Sequence, residues 1–458
     1  MVVLQDFSFG NFRSFKDIQT LSLSKAHLAS AKDKLLEPTH TFEYQAHSFL
    51  KTKAIYGANA SGKSNVVKAL NTFLKILLDS VKNAKVLSEV DSFFINKSTP
   101  SFFQMIFWVD EVKYRYGFEV VEGKITAEWL YAEKAKSELC YFIREEQQII
   151  ALDTTHFAEG AIYINLTQQG EDTQELLTDT SLFLTVLASF GFGKTSKLLI
   201  SNLSQINIIS GLSEPTMMSY AKEALKNKDK KRFILNLLKK GDTSIENLQL
   251  LDITDFENAE NSQKDYLVVA KSIGEEEADR DMIYSFEHYE SEGTRKLFEL
   301  SPYLYEAIKE GHPLVIDEFD ARFHPLLTKR IVQFFNSEEN QHTQFIFVTH
   351  DTSLLSNTLL RRDQIEFVEK DKQGVSHLYA LAEIEGVQAE ASFEKVLING
   401  SRLTTMTRPD RKQNISGNFS ANPGVYSTSA ENAKDATKPK KQPANPSQPQ
   451  QPQNPQQS

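Results

Sequence analysis

The run Gly57-Ala58-Asn59-Ala60-Ser61-Gly62-Lys63-Ser64 follows the spacing G-x-x-x-x-G-K-[S/T]. Glycines at those two positions let successive backbone N–H groups turn inward around an anion, and a helix starting there adds the positive end of its dipole. This is a cradle for a polyphosphate, in which Lys63 reaches the β- and γ-phosphates and the Ser64 hydroxyl holds Mg2+. Gly193-Lys194-Thr195 repeats the last part of the pattern, but Ala188 stands where the first glycine is required, inside a helical pattern. It is not a second phosphate loop.

Three further segments place polar residues where a phosphate site could use them. Pro313-Leu314-Val315-Ile316-Asp317-Glu318-Phe319-Asp320 is an apolar strand ending in acids. Asp317 would enter the Mg2+ shell there, and the Glu318 carboxylate would polarise an attacking water. Phe345-Ile346-Phe347-Val348-Thr349-His350 is a second apolar strand with a polar end, and open α/β sheets bind ligands at that carboxyl edge. His350 could therefore touch the γ-phosphate or the water. Ser291-Glu292-Gly293-Thr294 precedes a helix carrying Leu297, Leu300, Leu304 and Ile308, so its free N–H groups suit an anion.

The elements around these residues must bring them together. A strand over Val2–Phe9 opens the chain, and Ala54-Ile55-Tyr56 runs into the glycine-rich loop. Val66, Val67, Leu70, Phe73, Leu74, Leu77, Leu78 and Val81 then recur at three- and four-residue spacing, one apolar helix face. Alternation of Val112, Tyr114, Tyr116, Phe118 and Val120 with polar residues, with Asp110-Glu111 and Glu122-Gly123 at the turns, predicts an antiparallel meander over about 102–132. From about 175 to 245 the pattern is helical. Strands then alternate with helices: Tyr266–Ala270, Ile283–Tyr289, a helix over about 294–309, Leu314–Ile316, a helix from Pro325 and Phe345–Val348. That order predicts a mainly parallel sheet covered by helices. Both ends of the chain, 1–170 and 246–404, would form one α/β head, with a helical lobe over 171–245 inserted between them.

Composition narrows the function classes. The 458 residues are 40% hydrophobic and 24% charged, the balance of a folded globular chain. Residues 427–458 lack aromatics and are rich in Pro, Gln and Asn, so about 405–458 reads as a disordered tail. A net charge of −10 repels a phosphate backbone, and nucleic-acid contact would need a local patch. Cys140 is the only cysteine, which excludes an internal disulfide and suits a reducing cytoplasm. No stretch approaches the length of an apolar membrane span, and no secretory leader is recognisable.

Taken together, the motifs resemble the ATP-binding-cassette class of ATPases, in its soluble branch of SMC and RecF proteins. The order matches that class: phosphate loop Gly57–Ser64, signature Ser291–Thr294, acidic strand Leu314–Glu318, D-loop Asp320–Pro325 and switch His350. Within the branch the chain is most similar to the RloA-like family of bacterial AAA-type ATPases associated with abortive infection. Asn11-Phe12-Arg13-Ser14-Phe15, Glu290–Arg295, Ile316–Pro325 and Thr349-His350-Asp351-Thr352 carry that likeness. The resemblance implies an ABC-type P-loop head that binds ATP and Mg2+ and hydrolyses ATP. It also implies head-to-tail pairing in a homodimer or higher homo-oligomer, where Ser291 and Gly293 contact ATP held by the partner chain. Glu318 would be the base, His350 the γ-phosphate sensor, Asp320 and His324 the D-loop contacts, and Asn65 and Arg13 further nucleotide contacts. Its setting would be bacterial phage defence with a separate effector protein. Glu292 stands where many transporters have Gly, and Gln104, in a strand pattern, is a poor Q-loop candidate.

Other readings fit less well. A GTPase normally carries N-K-x-D, and Asn96-Lys97-Ser98-Thr99 and Asn227-Lys228-Asp229-Lys230 both lack the acid. A DNA-clamping repair ATPase is the main alternative, since Lys226, Lys228, Lys230, Lys231, Arg232, Lys239 and Lys240 could neutralise phosphates. A self-contained nuclease would need a separate acidic or metal-binding cluster, and Glu275-Glu276-Glu277 beside Gly274 reads as a surface loop.

Overall fold

The antiparallel part of the molecule is built first along the chain. In β1 (Val2–Gly10) most side chains are buried, and β2 (Gln19–Ser22) returns antiparallel beside it after a tight turn closed by the Phe12–Phe15 bridge. Helix α1 (Ala31–His40) leads into the hairpin of β3 (Thr41–Tyr44) and β4 (His47–Leu50). Strand β5 (Thr52–Gly57) is separated from α2 (Lys63–Asp79) only by the glycine-rich loop. The meander follows as β6 (Ser101–Val109), β7 (Val112–Val121), β8 (Lys124–Lys134), β9 (Ser137–Glu145) and β10 (Gln148–Leu152). It runs further than the alternation near 102–132 suggests, and with β1 and β2 it makes a seven-stranded sheet in the order β10-β9-β8-β7-β6-β1-β2. At two of its hairpin tips, Asp110-Glu111 and Glu122-Gly123, both residues have positive φ, which matches the right-handed twist of the strands they join.

In this computed structural model the described residues are 1–134, 137–168, 177–189, 191, 193–212, 214–240, 245–252, 265–271, 282–321, 323–384 and 393. The chain divides into two units, Met1–Pro409 and Asp410–Ser458. The expected tail over 405–458 and the acidic loop around Glu276 lie outside the described residues.

Helices α3 (Ala158–Gln168), α4 (Phe183–Ser189) and α5 (Lys194–Leu203) come next, followed by β11 (Asn207–Ser210), α6 (Pro215–Ala224) and α7 (Lys228–Lys240). A small antiparallel sheet holds β12 (Ile245–Asp252), β13 (Asp265–Lys271) and β14 (Met282–Ser285). The chain continues through α8 (Phe286–Tyr289), α9 (Glu292–Tyr305), β15 (Leu314–Asp317) and α10 (Pro325–Phe335). It then passes through β16 (Phe345–Val348), β17 (Ile365–Lys370) and β18 (Ser376–Ala380).

The second large sheet has the order β11-β15-β16-β5-β17-β18, parallel throughout except for β18. Strand β5, from the N-terminal part, lies between β16 and β17 from the C-terminal part. Both ends of the chain therefore make one α/β head, as the strand–helix alternation predicts. Alternate residues of the sheet enter two cores. Ile55, Val315, Ile346 and Val348 face α2 and the antiparallel sheet, while Ala54, Leu314, Ile316, Phe345 and Phe347 share the core of α6, α7, α9 and α10. Burial on both faces is why these strands read as continuous apolar runs.

Two expectations need correction. The segment over 171–245 is helical in α4–α7, but it also supplies β11, an edge strand of the head sheet paired in parallel with β15. It is thus part of the head's own layers, because Asn207-Ile208-Ile209-Ser210 finds its hydrogen bonds on Leu314–Asp317. The strand expected over Ile283–Tyr289 ends at Ser285, and Phe286–Tyr289 is a short helix that buries Phe286 against Phe298. Among the described residues no single helix is long and apolar enough to cross a membrane.

Candidate active site

The parallel register brings the chemistry to one edge. Val348 pairs with Ile55, and Ile316 with Phe347, so the ends of β5, β15 and β16 lie side by side. Beyond them stand the glycine-rich loop, Asp317-Glu318 and Thr349-His350. A ligand held by the loop would meet the acids and the histidine at the carboxyl edge of the sheet.

Gly62 precedes α2 in the left-handed region, φ 112°, and an added Cβ would lie 2.7 Å from Ser376 Oγ and 2.8 Å from Ser14 Oγ. Only glycine fits, and its conformation turns the loop's amides toward the helix start. The buried Lys63 ammonium donates to the carbonyls of Gly57 (2.8 Å) and Ala58 (2.9 Å), which aims it along the inside of the loop. Burial pushes its pKa below the ordinary lysine value, against the opposing pull of Asp317, Asp320 and Glu318. Ala58, Asn59 and Ala60 are exposed at the crest of the loop, and Ala60 has φ 61°. Ser61 Oγ is buried inside it with no hydrogen-bond partner among the described residues. An orphaned hydroxyl, a buried cation and a helix N-terminus around one loop fit a polyphosphate.

The Ser64 hydroxyl donates to Asp317 Oδ1 at 3.1 Å. A serine oxygen and a carboxylate at that separation form a hard-oxygen pair suited to Mg2+. Glu318 has φ 53°, a left-handed backbone that a non-glycine residue holds only when its surroundings impose it. They do so here: the Phe319 amide donates to Val348 O (2.8 Å), and Asp320 Oδ1 accepts from the His350 amide (3.1 Å). The turn after β15 is thus tied to the end of β16, with Glu318 partly exposed and His350 exposed at the edge.

The other expected residues take varied places. Asn65 donates to Ser14 Oγ (2.9 Å), so the segment over 11–15 touches the start of α2 through its serine. Arg13 instead pairs with Asp91 (2.7 Å), its backbone amide also donating to Asp91 O (2.7 Å). Its backbone has φ 51°, and its Nε is buried with no hydrogen-bond partner among the described residues. Ser291 caps α9, accepting from the Thr294 amide at 3.1 Å, with Gly293 in the first turn. Ser291 and Glu292 are exposed there. His324 caps α10 through its Nδ1, which accepts from the Leu326 amide at 3.2 Å. Gln104 lies in β6, accepting from the Trp129 indole at 3.0 Å, well occupied within the antiparallel sheet. The basic cluster does not present one uniform face. Lys230 turns inward to Glu306 (2.7 Å), Lys226 pairs with Glu223 (2.6 Å) and Arg232 with Asp229 (3.0 Å).

Sequence reasoning missed Ser14 and Ser376. Ser376 donates its hydroxyl to Ser61 O at 2.5 Å and its amide to Ser14 O at 2.7 Å, bracing the loop from β18. Gly211 was missed as well. Its amide donates to Asp317 O at 2.5 Å, and an added Cβ would fall 1.8 Å from Glu318 O. Nothing in the spacing marks Ser376 or Gly211, and Ser14 stands in the Asn11–Phe15 stretch with no role of its own indicated there.

Comparison with known proteins gives a family. The model of AAA_21, described as "AAA domain, putative AbiEii toxin, Type IV TA system", matches residues 54–161 and 212–356. No curated protein matches the chain. Among solved structures it is similar to the SMC head domain from Thermotoga maritima, at 15% identity and TM-score 0.38, over 82% of this chain and 98% of that one. An Smc head with an extended coiled coil bound to the C-terminal domain of ScpA, derived from Pyrococcus furiosus, is similar at 14% identity and TM-score 0.39, over 88% and 100%. The family match takes in the phosphate loop, the Ser291 helix, the acidic strand and His350, and by it the chain belongs to the AAA_21 family of AAA domains.

Proposed function

We propose that the protein is a Mg2+-dependent ATPase whose two copies close head to tail around ATP and thereby regulate a separate effector protein in bacterial phage defence. The observation that carries the hydrolytic part is the Ser64–Asp317 contact of 3.1 Å with Glu318 next in sequence. A hydroxyl and two carboxylates at the mouth of one phosphate loop support the reading that a metal and a general base act there.

Ser64 and Asp317 would hold the metal, which supplies charge neutralisation on the β- and γ-phosphate oxygens when bound. The amides of Gly57–Ser64 and the Lys63 ammonium bind the same oxygens. Glu318 orients a water and takes its proton as the water oxygen bonds to the γ-phosphorus. The bond from that phosphorus to the bridging oxygen breaks, and the products are ADP and phosphate. His350, exposed at the end of β16, senses the γ-phosphate. Ser291 and Gly293, exposed or partly so at the start of α9, complete the site of the partner copy. The phage-defence setting and the separate effector rest on the resemblance to abortive-infection ATPases, with which the family's toxin–antitoxin description agrees, and a cytoplasmic location accords with the single cysteine.

Light scattering on Glu318→Gln with and without Mg-ATP tests this reading. A mass that doubles only with ATP supports head-to-tail closure. A monomer in both conditions overturns closure, and wild-type protein that releases no phosphate from Mg-ATP overturns the ATPase itself.

A further inference from the structure

We propose that Lys296 is a positioning residue that couples the Ser291 end of α9 to the Asp317–Glu318 turn of the same chain, making the two half-sites of each copy move as one. This inference rests on the reading above, in which Glu318 serves the nucleotide of its own chain and Ser291 that of its partner.

Lys296 lies in the second turn of α9, five residues after Ser291, and is 0% exposed. A lysine is rarely buried unless its ammonium has a specific partner. Here Nζ donates to the carbonyl of Ser210, the last residue of β11, at 3.2 Å. Ser210 pairs in register with Asp317, and the next amide, Gly211, donates to Asp317 O. Gly211 also packs against the Glu318 carbonyl so closely that a Cβ would sit 1.8 Å from that oxygen and 2.4 Å from its carbon. Helix, edge strand and catalytic turn are therefore in unbroken contact.

A second tether fixes the direction of the coupling. Glu306, just past the end of α9, accepts from Asn207 Nδ2 at 3.1 Å, and Asn207 is the first residue of β11. The helix is thus fastened to both ends of the strand, Lys296 at its last residue and Glu306 at its first. At its N-terminal end Arg295 donates to Glu287 O at 3.2 Å, which holds the segment leading to Ser291 against the helix start. A shift of α9 when Ser291 engages a ligand would pull on both of its tethers to β11. It passes through Ser210 and Gly211 to Glu318, whose left-handed backbone depends on its surroundings.

The test uses the full chain and compares wild type, Lys296→Met and Lys296→Arg. Methionine keeps the length and apolar stem and removes the donated bond. The expected result for Lys296→Met is a turnover rate lowered roughly ten- to a hundredfold, because small misplacements of a catalytic group cost that much. Affinity for a non-hydrolysable ATP analogue should stay within about twofold of wild type, since no contact with the phosphate loop is lost. The Hill coefficient for ATP should fall to about 1, because coupling between the paired sites has been cut. Lys296→Arg, which keeps a donor, should recover most of the rate. Turnover and Hill coefficient unchanged in Lys296→Met would overturn the coupling. So would turnover that falls only in step with analogue binding and melting temperature. Should Lys296→Met fail to fold, Asn207→Ala loosens α9 from the other end of β11 without touching Ser291 or Glu318 and must lower the Hill coefficient in the same way. Glu318→Gln, run in parallel, separates the two ideas: if it abolishes hydrolysis while Lys296→Met does nothing, only the coupling falls.

Discussion

Ser64 Oγ and Asp317 Oδ1 meet at 3.1 Å across 253 residues of sequence. Each arrives on a different element: Ser64 on the first turn of α2, Asp317 at the end of β15. Their meeting depends on β5 and β15 both pairing with β16, which sets the heights of the two strand ends. The contact between the two side chains is thus a direct consequence of sheet register. A one-residue slip in either strand would separate it.

Ser64→Ala and Asp317→Asn should each lower Mg2+-dependent phosphate release on the order of a hundredfold, the several kcal/mol that a correctly held metal supplies. Neither should unfold the protein, because a single partly exposed hydrogen bond is worth about 1 kcal/mol. Phosphate release assays with melting curves on the same preparations check both parts. An unchanged rate in Asp317→Asn would remove this carboxylate from the reaction.

If Ser291 acts on the partner's nucleotide, damage to the two half-sites should complement in trans. Lys63→Ala and Ser291→Arg should each be inactive alone. Mixed in equal amounts, they form heterodimers with one intact composite site, which restores up to roughly a quarter of wild-type turnover for a two-fold pair. Phosphate release from the mixture, against each variant alone, reads this directly. A mixture as inactive as its components would place Ser291 in its own chain's site or in none.

The strands that carry the acids and His350 were legible because each is a short apolar run stopping at a polar residue, the pattern of a strand buried on both faces. The phosphate loop was legible because its glycines and lysine obey a fixed spacing. Other parts were hidden for physical reasons. Asn207–Ser210 is too short to show a period, and it becomes a strand only because β15 offers an open edge. Ser14, Ser376, Gly211 and Lys296 are ordinary residue types whose roles arise from contacts far along the chain. Arg13 has Asp91 as its partner in this structure, a pairing that the spacing of the Asn11–Phe15 stretch does not indicate.

Gln344 joins the two large sheets. Its side chain accepts from the Leu4 amide (2.7 Å) and donates to the Leu4 carbonyl (2.8 Å), mimicking one strand pair between β1 and the start of β16. Gln344→Ala leaves both backbone groups buried without those partners. It should destabilise the head by roughly 2–6 kcal/mol, at about 1–3 kcal/mol for each unsatisfied group. Denaturant titration measures this, and turnover at low temperature should stay near wild type because the site edge is untouched. A loss under half a kcal/mol would mean that water replaces the bridge.

Glu306 gives the head a defined acid sensitivity. Burial works against its charge, but hydrogen bonds from Lys230 and Tyr220 and the nearby Lys230 ammonium outweigh it, and its pKa lies below the ordinary 4.5. The Tyr220 hydroxyl, also desolvated and facing that carboxylate, is pushed up to about 12. A carboxyl with a depressed folded-state pKa contributes stability that is fully present above its unfolded value and is lost as pH falls through the folded value. The melting temperature of wild type should therefore exceed that of Glu306→Gln at pH 7, and the difference should hold down to about the unfolded carboxylate value and shrink only below it. Because Glu306 also holds Asn207 at the start of β11, the amides of β11 should exchange faster in Glu306→Gln at neutral pH, while those of β17, at the far side of the sheet, should not. A difference in melting temperature that is independent of pH would assign the Glu306 contribution to packing instead of charge.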